Sequence, residues 1–215
     1  MPSIEGVRLK LRKKYIKYTH KYRVKLLKQK DFTIISNNCW GGFVYQSYGL
    51  KYNTPTVGLF IMPEDYLKFI QKIRYYISIN MEFINPMDSK FYDKLSKDSR
   101  FGKYPIGKLD DIEIMFLHYE TKQEAYDKWN ERCKRINWDK VLFKFNDQND
   151  CTLEDMKQFD RCNLENKICF TSKNIEELES CIFIKSAQGQ ECVFASQEPF
   201  GKSKYIDITK LLNKL

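Results

Sequence analysis

Apolar positions follow two rhythms along this chain. Over residues 1–30, Val7, Leu11, Tyr15, Tyr18, Tyr22 and Leu26 recur at intervals of three or four, which puts them on one stripe of a helix. Beyond that segment, short apolar runs alternate with helical patterns. Residues 32–35 (Phe-Thr-Ile-Ile) have the composition of a buried strand, and residues 43–48 read as a short helix. Residues 56–61 form a second apolar run behind Pro55. Pro63 then suits the first turn of a helix, with Glu64 and Asp65 near its positive end. Tyr66, Phe69, Ile70, Ile73 and Ile77 form the apolar face of that helix, and residues 81–84 read as a short strand.

Residues 85–110 are polar, contain Asn85-Pro86, Tyr104-Pro105 and Gly107, and read as a long surface loop. A strand over 112–117 runs into His118-Tyr119. Thr121 and Glu124 form a capping box that opens a helix with Ala125, Trp129, Cys133 and Ile136 on its buried stripe. Residues 141–145 are another strand, and Thr152 with Asp155 opens a further helix reaching about Cys162. Residues 167–171, 181–185 and 192–195 read as shorter strands, and residues 206–212 as a last helical turn. Strands alternating with helices predict an α/β fold: a mostly parallel sheet flanked by helices on both faces, preceded by the N-terminal helix. The expected division is residues 1–30 as that helix and 31–215 as a single α/β domain.

Charge sharpens the first segment. Residues 1–30 hold eleven Lys/Arg and one acid, Glu5, so the net charge of +9 belongs to this segment and the other residues sum to −1. Three readings follow for the helix: packing of its aromatic stripe on the domain, peripheral contact with an anionic membrane, and nucleic acid. The last is the least expected, because no recognition motif or second basic patch accompanies the charge. The start Met1-Pro2-Ser3-Ile4-Glu5 leads into charge rather than an apolar leader, and no stretch of about 18 uncharged apolar residues occurs. Seven cysteines, odd in number and without a C-x-x-C pair, suit reduced thiols. A cytoplasmic protein, membrane-peripheral at most, is therefore expected. With His20 and His118 as its two histidines, the chain has no multi-His zinc site, and no metal is expected.

Chemistry concentrates at Ser36-Asn37-Asn38-Cys39-Trp40-Gly41-Gly42. A strand ending in small polar residues, then Gly-Gly and a helix, can aim backbone N–H groups at a phosphate or diphosphate. The pattern is neither a Walker loop nor G-x-G-x-x-G. The competing reading is a tight structural turn whose Asn side chains satisfy local backbone groups. Cys39 near a helix N-terminus could act as a nucleophile with His118 as its base, or be a buried structural thiol. His118 itself could act as a general base. Asp110 and Asp111 precede the same strand; they fall at its other end if the strand is straight and whole, or belong to the long loop and fold back. Arg132 and Arg135 share a helix face and could clamp a phosphate or carboxylate, or simply complement the helix C-terminus.

These motifs together resemble the bacterial DUF1919 family. The resemblance rests on residues 32–42, Pro55-Thr56, the Pro105-Ile106-Gly107 loop, His118-Tyr119 followed by Glu124-Ala125, Trp129, Arg132 and Arg135-Ile136-Asn137, and the closing stretch from Ile206-Asp207 to Leu212-Asn213. It covers nearly the whole chain. The family is one of unknown function whose members often carry an exopolysaccharide or capsule biosynthesis label. That label implies nucleotide sugars, lipid-linked glycans or phosphorylated substituents as partners, names no cofactor, and transfers no catalytic residues. The resulting expectation is a transferase of cell-surface polysaccharide assembly that uses Ser36, Asn37, Asn38, Trp40, Gly41, Gly42, Tyr119, Arg132 and Arg135 for binding, with His118 and Cys39 catalytic. The D-x-D of many metal-dependent sugar transferases is missing. The rival expectation is a non-catalytic glycan- or partner-binding protein with Trp40, Tyr45 and Tyr119 as its contact surface.

Overall fold

The computed structural model describes residues 4–215, with Glu5 described by its backbone alone. Met1, Pro2 and Ser3, part of the opening read above as charged, lie outside that description. The chain opens with α1 (Ile4–Arg23), then β1 (Thr33–Ser36), α2 (Trp40–Tyr48), α3 (Pro63–Gln71) and α4 (Ile73–Tyr76). Next come β2 (Glu82–Ile84), α5 (Tyr92–Leu95), β3 (Ile106–Leu109), β4 (Ile112–Met115) and α6 (Lys122–Cys133). It closes with β5 (Val141–Asn146), α7 (Leu153–Arg161), β6 (Lys167–Thr171), β7 (Cys181–Phe183) and α8 (Ile208–Leu212).

The expected α/β architecture is present. Strands β1, β5, β6 and β7 form a parallel sheet in the order β1-β5-β6-β7. Every residue of β1 and β5 is buried, as befits parallel strands covered on both faces. Alternation divides the core. Ile34, Leu142, Ile168 and Phe170 pack with Trp40, Val44 and Tyr45 of α2 and with Ile208 and Leu212 of α8. Ile35, Phe143, Phe145 and Cys169 pack with α3, Trp129 of α6 and Phe159 of α7.

Three expectations change. The apolar run at residues 56–61, left unassigned above, is not a strand. They run beside β1 through Thr56, whose Oγ1 accepts the Ser36 N–H at 3.1 Å, and through the Ile61 N–H, which donates to the Asn37 carbonyl at 2.9 Å. Gly58, at φ 72°, breaks the extended conformation between them. Residues 85–110 are not one loop: they hold α5 and β3, and β2-β3-β4 is a second, antiparallel sheet. Asp110, at φ 54°, makes the β3–β4 hairpin turn, and Tyr75 and Tyr76 bond to Asp110 and Asp111 there. Residues 192–195 form no strand but belong to an irregular strap.

The third change concerns α1. Its predicted stripe faces mostly outward, with Tyr15 edge-on to the Phe200 ring at 6.3 Å. Leu11, Tyr15, Tyr18 and Tyr22 are exposed, and Arg12 and Ile16 are buried in their place. The Arg12 guanidinium stacks over Phe200 with 4.2 Å between its carbon and the ring centre, so a cation takes the inward position.

Both predicted helix starts are real, with one difference. Thr152 and Asp155 form a full reciprocal capping box. Thr121 accepts the Glu124 N–H at 3.1 Å, but the Glu124 carboxylate reaches back to the Glu120 N–H at 3.3 Å rather than to that of Thr121.

A buried anion cage at the carboxyl edge

β1 and β5 end side by side, with Ser36 opposite Lys144. Lys144 occupies a position that alternation assigns to the apolar face shared by Leu142 and Phe170. Its ammonium therefore lies over the rings of Trp40 and Phe170, at 5.8 and 5.6 Å. It bonds the Glu198 carboxylate, and both side chains are fully buried. Lys144 Nζ also donates to Asn38 Oδ1 at 2.9 Å. Glu198 Oε1 accepts from Asn38 Nδ2 at 3.1 Å and from Asn146 Nδ2 at 2.9 Å. Asn38 Nδ2 also lies 3.1 Å from Gln148 Oε1, and Asn37 Nδ2 donates to Asn146 Oδ1 at 2.9 Å. One ammonium and two amides thus hold a carboxylate in a dry site. Burial pushes the Lys144 ammonium below its ordinary value, and the Glu198 carboxylate pulls it back. Asn37 Oδ1 is buried without a hydrogen-bond partner.

Glu198 reaches this position on a strap held by α1 and α2. Arg12 Nη1 donates to the Ala195 carbonyl at 2.6 Å, and Arg12 Nη2 to that of Glu198. Trp40 Nε1 donates to the Pro199 carbonyl at 2.6 Å, and Arg23 Nη2 to the Phe200 carbonyl at 2.5 Å.

The turn at residues 36–42 is closed over except at Cys39, which is partly exposed. Ser36, Asn37, Trp40, Gly41 and Gly42 are buried, and Asn38 is 6 % exposed. Two N–H groups at the start of α2 have internal partners: Trp40 N–H donates to Asn38 Oδ1 at 3.1 Å, and Gly41 N–H to Ser36 Oγ at 3.4 Å. A Cβ on Gly41 would stand 3.2 Å from Ile34 Cγ2, and one on Gly42 3.2 Å from Val57 Cγ1. Both glycines let α2 approach its neighbours closely.

Cys39 stands between the cage and an outer rim. Its thiol donates to the Leu59 carbonyl at 3.5 Å, and His118 is not its hydrogen-bond partner. Burial pushes the thiol up to about 11; Glu198 adds to the rise, while Lys144 and Arg100 oppose it. Cys39 is thus a protonated thiol at neutral pH, the opposite of an activated nucleophile. His118 follows β4, in the antiparallel sheet, and joins the rim because its N–H donates to the Gly58 carbonyl at 2.9 Å, next to the Leu59 that Cys39 contacts. Its imidazole is exposed on one side, and its pKa is lowered by partial desolvation and then by Arg100 and Lys13. It is therefore neutral at pH 7, the protonation state a general base needs. Arg100 is the arginine that acts electrostatically on both Cys39 and His118.

Arg132 and Arg135 lie elsewhere. Arg132 bonds Tyr119 Oη and sits 5.2 Å over Tyr52; Arg135 bonds Glu131 and donates to the Tyr52 carbonyl at 3.3 Å. Tyr119 Oη in turn donates to the Val57 carbonyl at 2.6 Å. These groups fasten α6 to residues 52–57. Trp40 and Tyr45 are fully buried and Tyr119 is 6 % exposed, so none offers a ring to a partner. Among the described residues, no three His, Cys, Asp or Glu side chains gather as metal ligands.

Sequence reading missed Lys144, Asn146, Gln148 and Glu198. A lysine between two phenylalanines in an apolar strand is the one signal that pointed there. Glu198 had none, because its placement depends on how the strap folds back.

Taken together, the molecule is a parallel α/β protein with a polar, charge-bearing network where such sheets commonly receive ligands. Its sequence matches the profile of the family described as "Domain of unknown function (DUF1919)" over residues 10–214, and the chain belongs to that family. It is also 32 % identical, over 167 residues, to an uncharacterized protein of Haemophilus influenzae (strain Rd), an alignment that covers 78 % of this chain and 74 % of that one.

Proposed function

We propose that this protein is an enzyme of cell-surface polysaccharide assembly that transfers a sugar or a phosphate-bearing group. The observation that carries the reading is the cage. Lys144, Asn38 and Asn146 already grip an internal carboxylate, and the same donors fit a phosphate or diphosphate oxygen once the strap withdraws Glu198. A buried ion pair is a poor device for stability alone, which favours a binding role for these residues. Substrate held in the cage would extend past Cys39 to the rim. There the neutral His118 accepts the proton of the attacking hydroxyl as the bond between the transferred group and the caged phosphate breaks, and the leaving phosphate stays held by Lys144, Asn38 and Asn146. A nucleotide sugar or lipid-linked glycan has the required anion. The choice of glycan chemistry follows the label that members of the family commonly carry. The burial of Trp40, Tyr45 and Tyr119 leaves the rival of an open aromatic contact surface without its residues.

The test is a thermal-shift screen with nucleotide sugars and polyprenyl phosphates on the native protein, Glu198→Ala and Lys144→Met. A ligand at about 100 times its Kd stabilises by about 2.7 kcal/mol. Removing the competing carboxylate should enlarge the shift, and removing the ammonium should abolish it. If no compound stabilises the native protein or Glu198→Ala, the transferase reading fails.

A further inference from the structure

We propose that the outward face of α1 docks flat on an anionic lipid bilayer. Ile4, Leu11, Tyr15, Tyr18 and Tyr22 are 54–75 % exposed. At about 100° per residue they share an arc of about 60°. The helix is fastened to the protein through a neighbouring arc, by Arg12, Ile16 and Arg23. On the opposite border of the aromatic arc lie Lys10, Lys14, Lys17 and Lys21, all exposed. Among the described residues, no carboxylate forms an ion pair with any of these four.

This arrangement fits a bilayer surface. Tyrosine suits the boundary between headgroups and acyl chains, and a flanking row of lysines reaches anionic headgroups. No described helix is long and apolar enough to cross the membrane, so the contact is peripheral. A nucleic acid fits less well, because its backbone needs a positive track and the chain beyond residue 30 sums to −1. This inference does not depend on the proposed activity.

The experiment is co-sedimentation of the full chain with phosphatidylcholine vesicles, with and without roughly 30 mol % phosphatidylserine, at low and high salt. Binding to the anionic vesicles should be at least about tenfold tighter and should weaken with salt. Replacing Lys14, Lys17 and Lys21 by Gln should weaken it by roughly fivefold per lysine. Leu11→Ser with Tyr18→Ser should weaken it about tenfold or more, with an unchanged melting curve because both side chains face solvent. Tyr22→Ser alone serves as a second variant should the pair fold poorly. Equal binding to neutral vesicles, or anionic binding indifferent to the Ser substitutions, would overturn the proposal. So would capture of RNA or polyglutamate without vesicle binding.

Discussion

Lys144→Met tests the energetics of the cage. The substitution keeps most of the side-chain volume in an apolar strand but removes the ammonium, leaving the Glu198 carboxylate buried with two amide donors at 2.9 and 3.1 Å. Breaking a buried pair by deleting one partner costs about 3–5 kcal/mol, because the remaining charge is uncompensated. The two amides soften this, so about 3 kcal/mol is expected. For a chain of this length that lowers Tm by about 6–12 °C. Glu198→Gln alone should cost a similar amount, since it strands the ammonium between two aromatic rings. The double variant removes both charges and should recover much of the loss, giving a coupling of about 2 kcal/mol or more in a double-mutant cycle. The assay is urea unfolding at fixed pH, checked by calorimetry. Strictly additive losses, or single variants within about 0.5 kcal/mol of native, would refute the claim that these two groups form one buried, dry pair.

Other consequences follow from single contacts. Tyr119→Phe removes the bond to the Val57 carbonyl and the one from Arg132, and should cost about 1–2 kcal/mol in urea unfolding. Gly41→Ala must push Ile34 or Ser36 aside, and should destabilise by about 1–2 kcal/mol despite the better helix propensity, measured the same way. Cys39 should resist iodoacetamide at pH 8 in the native protein and react after unfolding, because its thiol stays protonated up to about 11; mass spectrometry of the labelled peptide decides. The folded His118 titrates below 6.5, so its contribution to stability is complete above that value and is lost as pH falls towards the folded pKa. NMR titration should show that pKa rising in Arg100→Gln.

Much of the fold was legible in the chain. The capping residues at Thr121 and Thr152 fixed two helix starts, and the apolar runs at 141–145 and 167–171 named two sheet strands. What escaped has physical reasons. α1 carries two faces with helical spacing, and periodicity alone does not say which one packs; buried Arg12 wins because Phe200 and two strap carbonyls satisfy it. The apolar run at 56–61 forms no strand, since the left-handed Gly58 breaks its extended conformation. The candidate turn at 36–42 was found, but its role was not legible. Asn38 and Ser36 turn their oxygens to the turn's own N–H groups, and the Asn38 amide N–H joins Lys144 and Asn146, far away in sequence, in gripping the Glu198 carboxylate. Arg132 lies in the last turn of α6 and bonds Tyr119, while Arg135 falls past the helix end at Cys133 and reaches the Tyr52 carbonyl, so the helix face expected to carry both is not formed.

The most direct measurement is a side-chain NMR experiment on Glu198→Ala: amide resonances of Asn38 and Asn146, together with the His118 ring, followed during titration with a nucleotide sugar. Binding in the cage predicts that both amides and the imidazole shift together and saturate at one affinity, and that Lys144→Met abolishes the response. Shifts confined to the groove between α1 and α2, where Lys13, His20 and Gln46 line about 380 Å³, would place any ligand elsewhere and contradict the account.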